Sequence, residues 1–350
     1  MSRRGGSVEL LRLPAALFGA VSGLRGRLYD LGLLPSTRVE VPVVSVGNLT
    51  VGGTGKTPFV SFLVRCLRAR SLRPGILSRG YKSGGAQAND EARMLDAELG
   101  DVPHVQDPDR VRGAQVLVER GVDVIVLDDG FQHRRLGRDL DLVLVDATRP
   151  WGLPREGARD DLRALLPRGL LRERPEKLAR ADALVLTRSD QVSPDQRAAL
   201  REELRQFAPG PPVLLAAHRP CALRGPEGLA LPTALRDREV SLVSGIGNPD
   251  GFEAAVRSLG GVVREHRRFP DHHAYRASDL DGLGGEGVLV VTTAKDAVKL
   301  AGLGLAVEPH VLEVQLELLE GQAVLDALLD ALPAGAARQR RANLHEGLHG

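Results

Sequence analysis

The stretch VVSVGNLTVGGTGKTP, residues Val43 to Pro58, decides how this chain folds. It opens with an apolar, β-branched run that is typical of a buried strand. It then passes through closely spaced glycines to a Lys-Thr pair, and Pro58 stands where the first turn of a helix is expected. A strand, a glycine-rich loop, a lysine and a helix in this order are the layout of a phosphate-binding loop.

The loop residues predict how a nucleotide would be held. Glycines let successive backbone N–H groups point at one anion, and the helix N-terminus adds partial positive charge. We expect Lys56 to reach the terminal phosphates from an open loop, and the Thr57 hydroxyl to bind Mg²⁺. The alternative is a glycine-rich turn with an exposed lysine. The predicted nucleotide-binding residues are Thr50, Val51, Gly52, Gly53, Thr54, Gly55, Lys56 and Thr57.

One position departs from the standard phosphate-loop pattern. That pattern has glycine where this chain has Thr50, so the loop is closer to variants that read GGxGK[ST].

Composition bounds the class of protein. A chain of 350 residues is long enough for two α/β lobes with separate cores. The net charge is only +2, so bulk charge indicates no nucleic-acid partner. Cys66 and Cys221 offer neither a disulfide framework nor metal-ligand spacing, which indicates a reducing compartment. No apolar run reaches the roughly 18 residues of a membrane span, so no spanning helix is expected.

Strands that alternate with helices predict an α/β fold with a parallel sheet covered by helices on both faces. After the loop, strands are predicted at 73–79, 122–129, 140–147, 183–187 and 213–217. A Pro-, Gly- and Arg-rich stretch then predicts a linker or a hairpin, and a smaller α/β lobe follows with strands at 240–244, 288–293 and 311–316. The predicted domains are an N-terminal amphipathic helix (1–35), a phosphate-loop domain (36–218), a linker (219–238), a C-terminal lobe (239–335) and a basic tail (336–350).

The first helix has an apolar face made of leucines and one valine at spacings of three and four. Its uncharged part is too short to span a bilayer but suits a helix that lies in the membrane surface, with Arg12, Arg25 and Arg27 nearby. A helix packed on the protein's own body and a signal peptide are the alternatives. The apolar positions are Leu10, Leu13, Leu17, Val21, Leu24, Leu28 and Leu31.

Acidic residues lie at the carboxyl ends of two predicted strands. Ligand sites in parallel sheets lie outside the carboxyl ends of the strands, where Asp128, Asp129 and Asp146 fall. An acid that ends an apolar strand beside a phosphate loop is typical of a metal-holding carboxylate. Two adjacent acids project to opposite sides of a strand, so either Asp128 or Asp129 would hold the metal directly. The alternative is a strand-end turn.

Two further motifs are ambiguous by themselves. Asp90 and Glu91 open a predicted helix, where acids often serve only as caps. Asp271, His272 and His273 could form a metal site, a catalytic pair or a solvated turn.

The motifs GNLTVGGTGKTP, LSRGYK, DDGFQHRR, LVDATRPWG, LLRE, SGIGNP, FPDHHAY and TAKDAVK occur in this order. Together they resemble the tetraacyldisaccharide 4′-kinases of lipid A synthesis over residues 36–300. The resemblance implies an ATP-dependent kinase that phosphorylates the 4′-hydroxyl of a tetraacylated glucosamine disaccharide lipid with Mg²⁺. It also implies two lobes with the site between them. The enzyme would be peripheral to the cytoplasmic face of the bacterial inner membrane, with a glycolipid substrate and no implied protein partner.

The resemblance also assigns residues. Asp90 becomes the candidate base with His272 as its partner across the cleft, and Glu91 joins Thr57, Asp128 and Asp129 as a metal ligand. Arg172 and Glu173 match the family's LRE segment and are candidate substrate or transition-state contacts. This chain has Asn89 and Ala92 where the family has Gly and Pro, and His273 beside His272 offers a second histidine; we favour His272 because it directly follows the aspartate.

A sugar hydroxyl needs a base as it attacks phosphorus, and a carboxylate can accept the proton late in a loose transition state. A protonated His272 would hold Asp90 ionised, whereas a neutral His272 would relay the proton, and the sequence leaves both open. A nucleotide hydrolase and a membrane-bound nucleotide switch are the alternative functions. Neither needs a base from a second lobe, so the Asp90-Glu91 pair together with a second-lobe histidine argues against both.

Overall fold

The structure is a computed structural model that describes residues 6–80, 90–152, 163–271 and 273–333. For residues 6–8, 90 and 91 it describes the backbone only. His272 and Asn89 lie outside the described residues. The α-helices are α1 Arg12–Asp30, α2 Lys56–Ala69, α3 Asp90–Glu98, α4 Arg110–Glu119, α5 Pro194–Phe207, α6 Pro249–Ser258, α7 Ala294–Leu300 and α8 Gln322–Asp330. The strands are β1 Val43–Asn48, β2 Pro74–Ser78, β3 His104–Gln106, β4 Val124–Asp128, β5 Leu140–Asp146, β6 Ala183–Thr187, β7 Val213–Gly225, β8 Gly228–Ala230, β9 Glu239–Ser244, β10 Val262–Arg268, β11 Leu289–Thr293 and β12 His310–Glu320.

The described chain divides into two compact units. The first comprises described residues from ranges 1–80, 100–217 and 318–350, and the second from ranges 81–99 and 218–317. The division falls within β7 and within β12. The predicted domain boundaries stay predictions.

The first unit is built on a parallel sheet in the order β7-β6-β5-β1-β4-β2-β3. Strands β1, β2, β4, β5 and β6 are buried along their whole length, which explains their continuous apolar sequences. β1 lies between β4 and β5, with Val46 paired to Asp128 and Val44 paired to Leu140. Helix α2 packs against β1, β2 and β4. The predicted α/β class with a parallel sheet is therefore confirmed.

The second unit is a smaller α/β body with parallel strands in the order β10-β9-β11-β12. Its core holds side chains from β7, β9, β11 and α6, including Leu223, Leu242, Val291 and Phe252. Strand β10, VVREHRR, was not predicted because it is mostly polar and only partly buried. It lies at the end of the strand order, where one edge stays free for charged side chains.

The stretch predicted as a linker or hairpin begins inside a strand. β7 runs on to Gly225 and pairs antiparallel with the short β8. Gly228 has φ +114°, a left-handed value that suits glycine in the connecting turn. Residues 213–230 therefore form a hairpin, as the second alternative predicted.

Helix α3, which begins at Asp90, belongs by its contacts with the second unit. It packs against α7. The predicted 36–218 domain includes this helix, and no local signal in the sequence indicates which distant segment the helix packs against.

Helix α1 follows a 3₁₀ helix at Gly6–Leu11 and buries little of its own surface. Leu13 and Leu17 remain 82% and 66% exposed, and Leu10, Val21 and Leu24 are exposed too. Among the residues that the structure describes, no helix combines the length and the apolarity that crossing a membrane requires.

Candidate active site

The loop between β1 and α2 has the backbone of a phosphate cradle. Gly52 and Gly55 adopt positive φ values of 120° and 86°, where a side chain would be strained. Gly55 is the residue before the first turn of α2, so the loop delivers the backbone directly into a helix N-terminus. The Thr54 N–H donates to the Gly52 carbonyl at 3.1 Å, which tightens the turn.

Neighbouring segments hold this loop from outside. The Val51 N–H donates to the Leu170 carbonyl at 2.8 Å. The Thr187 hydroxyl donates to the Thr54 carbonyl at 2.9 Å, and Arg188 donates to the Gly53 carbonyl at 3.1 Å. The last two bonds satisfy loop carbonyls and use no loop amide, so they leave the amides of Gly53, Gly55 and Lys56 to face an anion.

Lys56 is held more tightly than the sequence predicted. Its ammonium lies 3.1 Å from Asn48 Oδ1 and 3.5 Å from Asp129 Oδ1, and its side chain is only 11% exposed. The expectation that Lys56 faces an open loop is therefore wrong. The reason is that the carboxyl ends of β1 and β4 bring acceptors to the start of α2, and the ammonium bonds to them.

Asp129 lies at the centre of a cluster of charges, hereafter the Asp129 cluster, made of Lys56, Asp129 and Arg172. One guanidinium nitrogen of Arg172 donates to both Asp129 oxygens, at 2.9 and 2.8 Å. Burial raises the pKa of Asp129, but the charges of Lys56 and Arg172 outweigh it, so the pKa lies below its ordinary value. The carboxylate is therefore ionised at neutral pH.

Asp128 is the last residue of β4 and is buried. The chain turns immediately after it, since Asp129 has a left-handed φ of 53°. A β-carbon on Gly47 would lie 2.5 Å from the Phe131 β-carbon, so glycine is needed for the turn to lie against β1. The turn gives the two adjacent acids different surroundings.

Arg172 and Glu173 make separate contacts. The Arg172 N–H donates to the Leu49 carbonyl at 2.7 Å, which anchors the segment beside the phosphate loop. The Glu173 carboxylate accepts from two nitrogens of Arg180, both at 3.1 Å. Arg180 also lies over the Phe131 ring, 4.4 Å from its centre. Arg172 thus belongs to the Asp129 cluster. Glu173 instead pairs with Arg180, which lies over the Phe131 ring.

Sequence reasoning did not single out Gln132 and His133 of the DDGFQHRR motif. The Gln132 amide donates to the Asn48 carbonyl at 3.0 Å and accepts from Arg172 at 3.3 Å. Burial, together with nearby arginines, lowers the pKa of His133 to about 4, so its ring is neutral at pH 7. The motif indicated that this segment is important. Its polar residues follow no helix or strand periodicity, so their partners could not be predicted from the sequence.

Arg110 is a third residue that the sequence did not single out. It is buried at the start of α4 and donates to the Asp107 carbonyl at 2.8 Å. Burial lowers the pKa of its guanidinium, and the negative charges of Asp129 and Asp128 oppose that effect. Arg110 therefore adds positive charge near the ends of β4.

In the second unit, Asp271 is held by a lysine. Lys295 Nζ lies 2.8 Å from Asp271 Oδ1, at the start of α7. The next residue, Asp296, is fully buried and accepts from the Gly245 N–H at 3.0 Å and the Thr293 hydroxyl at 2.8 Å. The TAKD and SGIGNP motifs therefore pack together and support the segment that carries Asp271.

His273 has a packing role. Its ring stacks on Phe269 with centres 4.4 Å apart, and its Nε2 lies 3.0 Å from Asp279 Oδ2. His272 lies outside the described residues, and only the backbone of Asp90 and Glu91 is described. The structure thus joins Lys56, Asp129 and Arg172, while the Asp90–His272 pair stays a prediction.

The predicted metal ligands are oxygen donors, which suits a hard cation such as Mg²⁺. Within the described part of the chain, no group of three His, Cys, Asp or Glu residues is arranged to hold a metal by itself. A Mg²⁺ bound by a nucleotide needs fewer protein ligands, because phosphates and water supply the others. The pair of Thr57 and a strand-end aspartate fits that requirement.

A family model described as tetraacyldisaccharide-1-P 4′-kinase matches residues 8–333. This chain belongs to that family. A tetraacyldisaccharide 4′-kinase from Anaeromyxobacter dehalogenans is 41% identical over 347 residues, which cover 91% of this chain and 89% of the relative. Another from Alkalilimnicola ehrlichii is 41% identical and covers 85% of each chain. A crystal structure of LpxK from Aquifex aeolicus in complex with ATP is 33% identical, with a TM-score of 0.72, and covers 92% of this chain and 98% of that one.

The resemblance predicted from the ordered motifs is therefore confirmed. Membership of a 4′-kinase family also confirms the predicted enzyme class, a phosphotransferase with a sugar hydroxyl as acceptor. Neither the nucleotide hydrolase nor the nucleotide switch is favoured.

Proposed function

We propose that this 4′-kinase family member transfers the γ-phosphate of ATP to the 4′-hydroxyl of a tetraacylated glucosamine disaccharide lipid. The observation that carries the proposal is the Asp129 cluster at the mouth of a phosphate loop, in a chain of this family. Its two cations, Lys56 and Arg172, would stabilise the charge of a transferred phosphoryl group. Known relatives that are named for this reaction support the acceptor class.

ATP would be bound by the loop from Thr50 to Thr57. The amides that follow Gly52 and Gly55, with the N-terminus of the 14-residue α2, supply donors and partial positive charge. Lys56 would leave Asn48 and Asp129 to contact the β- and γ-phosphates. Because its ammonium already lies among oxygen acceptors, this exchange replaces one set of oxygens by another.

Thr57 and Asp128 would hold Mg²⁺, with Glu91 as a further ligand. Asp128 is the better candidate of the two adjacent acids, because both oxygens of Asp129 already accept hydrogen bonds from Arg172. Asp129 would instead hold Arg172 in place, and would pair with Lys56 until ATP binds. The metal, when bound with ATP, neutralises phosphate charge and aligns the γ-phosphoryl group.

Asp90 would accept the proton of the acceptor hydroxyl, with His272 as its partner. Two observations support this assignment. Helix α3 begins at Asp90, and the Asp271 carboxylate next to His272 is held by Lys295 at 2.8 Å. Arg172 would contact the transferred group, and Glu173 would keep the Arg172 segment in place through Arg180.

The lipid acceptor suggests that the reaction takes place at a membrane surface. Helix α1 supports this, because its exposed leucines form an apolar face beside Arg12, Arg25 and Arg27. Apolar burial and attraction to anionic lipids act together on such a helix. We propose a peripheral attachment to the cytoplasmic face of the inner membrane.

The test is transfer of labelled γ-phosphate from ATP to a panel of lipid disaccharides. Label should appear on the 4′-hydroxyl of the tetraacylated disaccharide 1-phosphate, and ATP consumption should depend on that acceptor. Equal ATP hydrolysis with and without acceptor would contradict the proposal and favour a hydrolase.

A further inference from the structure

Helix α1 is attached to the first unit at its two ends by polar contacts. Of its side chains, Leu13, Leu17 and Leu24 lie exposed, whereas burial is confined to Ala15 and Gly26. Such a helix has little apolar contact with the protein to fix its orientation. Its orientation therefore depends mainly on the polar contacts at its ends, together with one close contact at Gly19.

Arg134 holds the C-terminal end of α1. Its guanidinium donates to Asp30 Oδ1 at 2.5 Å and to the Gly26 carbonyl at 2.9 Å. It also lies over the Tyr29 ring, 5.2 Å from the centre. Lys177 adds a second cation 3.6 Å from Asp30 Oδ2. Arg134 thus makes three kinds of contact with the last turn of the helix.

Arg168 holds the start of the helical region. It donates to Glu9 at 3.0 Å, just before α1 begins. Leu165 packs against Gly19, where a β-carbon would lie 2.6 Å from the leucine Cδ1. The glycine therefore lets the 163–173 segment lie close against α1.

Both attachments lie on segments that carry active-site residues. Arg134 lies in the 129–138 segment, which starts at Asp129 and includes Gln132, a partner of Arg172. Arg138 stiffens that segment by donating to the carbonyls of Gly130, Phe131 and His133 at 3.3–3.4 Å. Arg168 precedes Arg172 by four positions in the 163–173 segment. A change at α1 would therefore reach the Asp129 cluster through short, stiff connections.

We propose that Arg134 is a positioning residue, which holds α1 against the 129–138 segment so that a lipid-docked helix keeps the Asp129 cluster aligned for transfer. The inference rests on the proposed membrane attachment of α1. Docking restrains α1, and Arg134 transmits that restraint to Gln132 and Arg172. The ion pair of Arg134 with Asp30 is one link of this path. The short backbone from Arg134 to Gln132 and the hydrogen bond between Gln132 and Arg172 are the others.

The experiment compares Arg134→Ala with Arg135→Ala in the full chain. Arg135 is the matched control, because it lies on the same segment but pairs with Asp109 at 3.3 Å. The acceptor is presented in two ways: a tetraacylated disaccharide in anionic phosphatidylglycerol vesicles, and a short-chain analogue below its micelle concentration. Vesicle co-sedimentation and the KM for ATP are measured alongside.

We expect Arg134→Ala to lower kcat with the vesicle-borne acceptor about tenfold, because the end of α1 would no longer be held to the 129–138 segment. Its kcat with the dispersed acceptor, its KM for ATP and its vesicle binding should stay near wild type. Asp30→Asn should reproduce the effect, and the double exchange Asp30→Arg with Arg134→Asp should restore part of the rate.

Equal losses with both acceptors would overturn the inference, because Arg134 would then serve the fold alone. So would an equal effect of Arg135→Ala, or a vesicle rate for Arg134→Ala equal to wild type. If the wild-type chain does not bind vesicles, the membrane attachment fails and the inference fails with it. Vesicle binding with an unchanged Arg134→Ala rate overturns the inference alone.

Discussion

Arg172 and Asp129 are 43 positions apart in the chain, yet one nitrogen of the arginine donates to both oxygens of the carboxylate, at 2.9 and 2.8 Å. Lys56 lies 3.5 Å from the same carboxylate. The charge of Asp129 is thereby compensated before any nucleotide arrives. This relationship is the basis of the different roles that we propose for the two adjacent acids.

Removing the Lys56 ammonium should stop catalysis. We expect Lys56→Ala to lower kcat by roughly 10²–10³-fold, because a preorganised donor to the transferred phosphoryl group is lost. The melting temperature should fall only slightly, since Arg172 still pairs with Asp129. Arg65→Ala, an exposed change on the same helix, is the control. A rate near wild type in Lys56→Ala would remove the phosphate-loop assignment.

Asp128 and Asp129 should differ in their response to Mg²⁺. Asp128→Asn should raise the Mg²⁺ concentration needed for half-maximal rate about tenfold or more, because a metal ligand is weakened. Asp129→Asn should lower kcat at saturating Mg²⁺ with little change in that concentration, because its partners are Lys56 and Arg172. Excess EDTA should abolish the activity of the wild type and of both variants. The opposite pattern would show that Asp129 holds the metal and that Asp128 does not.

The candidate base is tested by four variants. Asp90→Ala should lower kcat by roughly 10²–10⁴-fold, the usual contribution of general acid–base catalysis, with nucleotide affinity nearly unchanged. His272→Ala should also lower the rate, and the double variant should be little worse than the worse single variant. If the double variant loses as much rate as the two single variants combined, Asp90 and His272 do not act as a pair.

The fourth variant, His273→Ala, should affect stability more than catalysis. It loses the stacking on Phe269 and the contact with Asp279, so its melting temperature should fall while kcat per folded molecule is largely retained. A loss of kcat as large as that of His272→Ala, with an unchanged melting temperature, would make His273 the catalytic histidine.

The exposed face of α1 should drive vesicle binding. Leu17→Asp and Val21→Asp introduce charge on that face without touching the contacts of Arg134, so both should weaken co-sedimentation with anionic vesicles. Leu229→Asp is the matched control, since Leu229 is also highly exposed but lies on the hairpin. If the α1 variants bind vesicles as well as the wild type does, the exposed face of α1 is not the membrane-binding surface.

The stability of the second unit should depend on pH through Glu253. Hydrogen bonds from Arg257, Arg268 and His266 lower its pKa from 4.5 to about 2. A depressed carboxyl pKa contributes stability above pH 4.5, and that contribution is lost as pH falls toward 2. The gap in denaturant midpoint between wild type and Glu253→Gln should therefore shrink between pH 6 and pH 3.5. A constant gap, or a similar gap for exposed Glu119→Gln, would contradict this assignment.

Much of the fold and part of the candidate site follow from local sequence. Buried strands such as Val43–Asn48 and Leu140–Asp146 are continuous apolar runs, and Gly52 and Gly55 mark the positive φ values of the loop. These features depend on steric preferences and burial over a few residues, so they can be predicted without a partner. The phosphate loop and the strand-end acids belong to this class.

Tertiary structure alone decided which side chains meet. The sequence does not reveal that Lys56 bonds to Asn48 and Asp129, that Glu173 pairs with Arg180, or that Arg134 reaches Asp30. It also does not reveal that the charged stretch Val262–Arg268 is a strand, or that α3 packs on α7. Such contacts join segments that are distant along the chain, and their partners are selected by packing and by the compensation of buried charge, which no local pattern encodes.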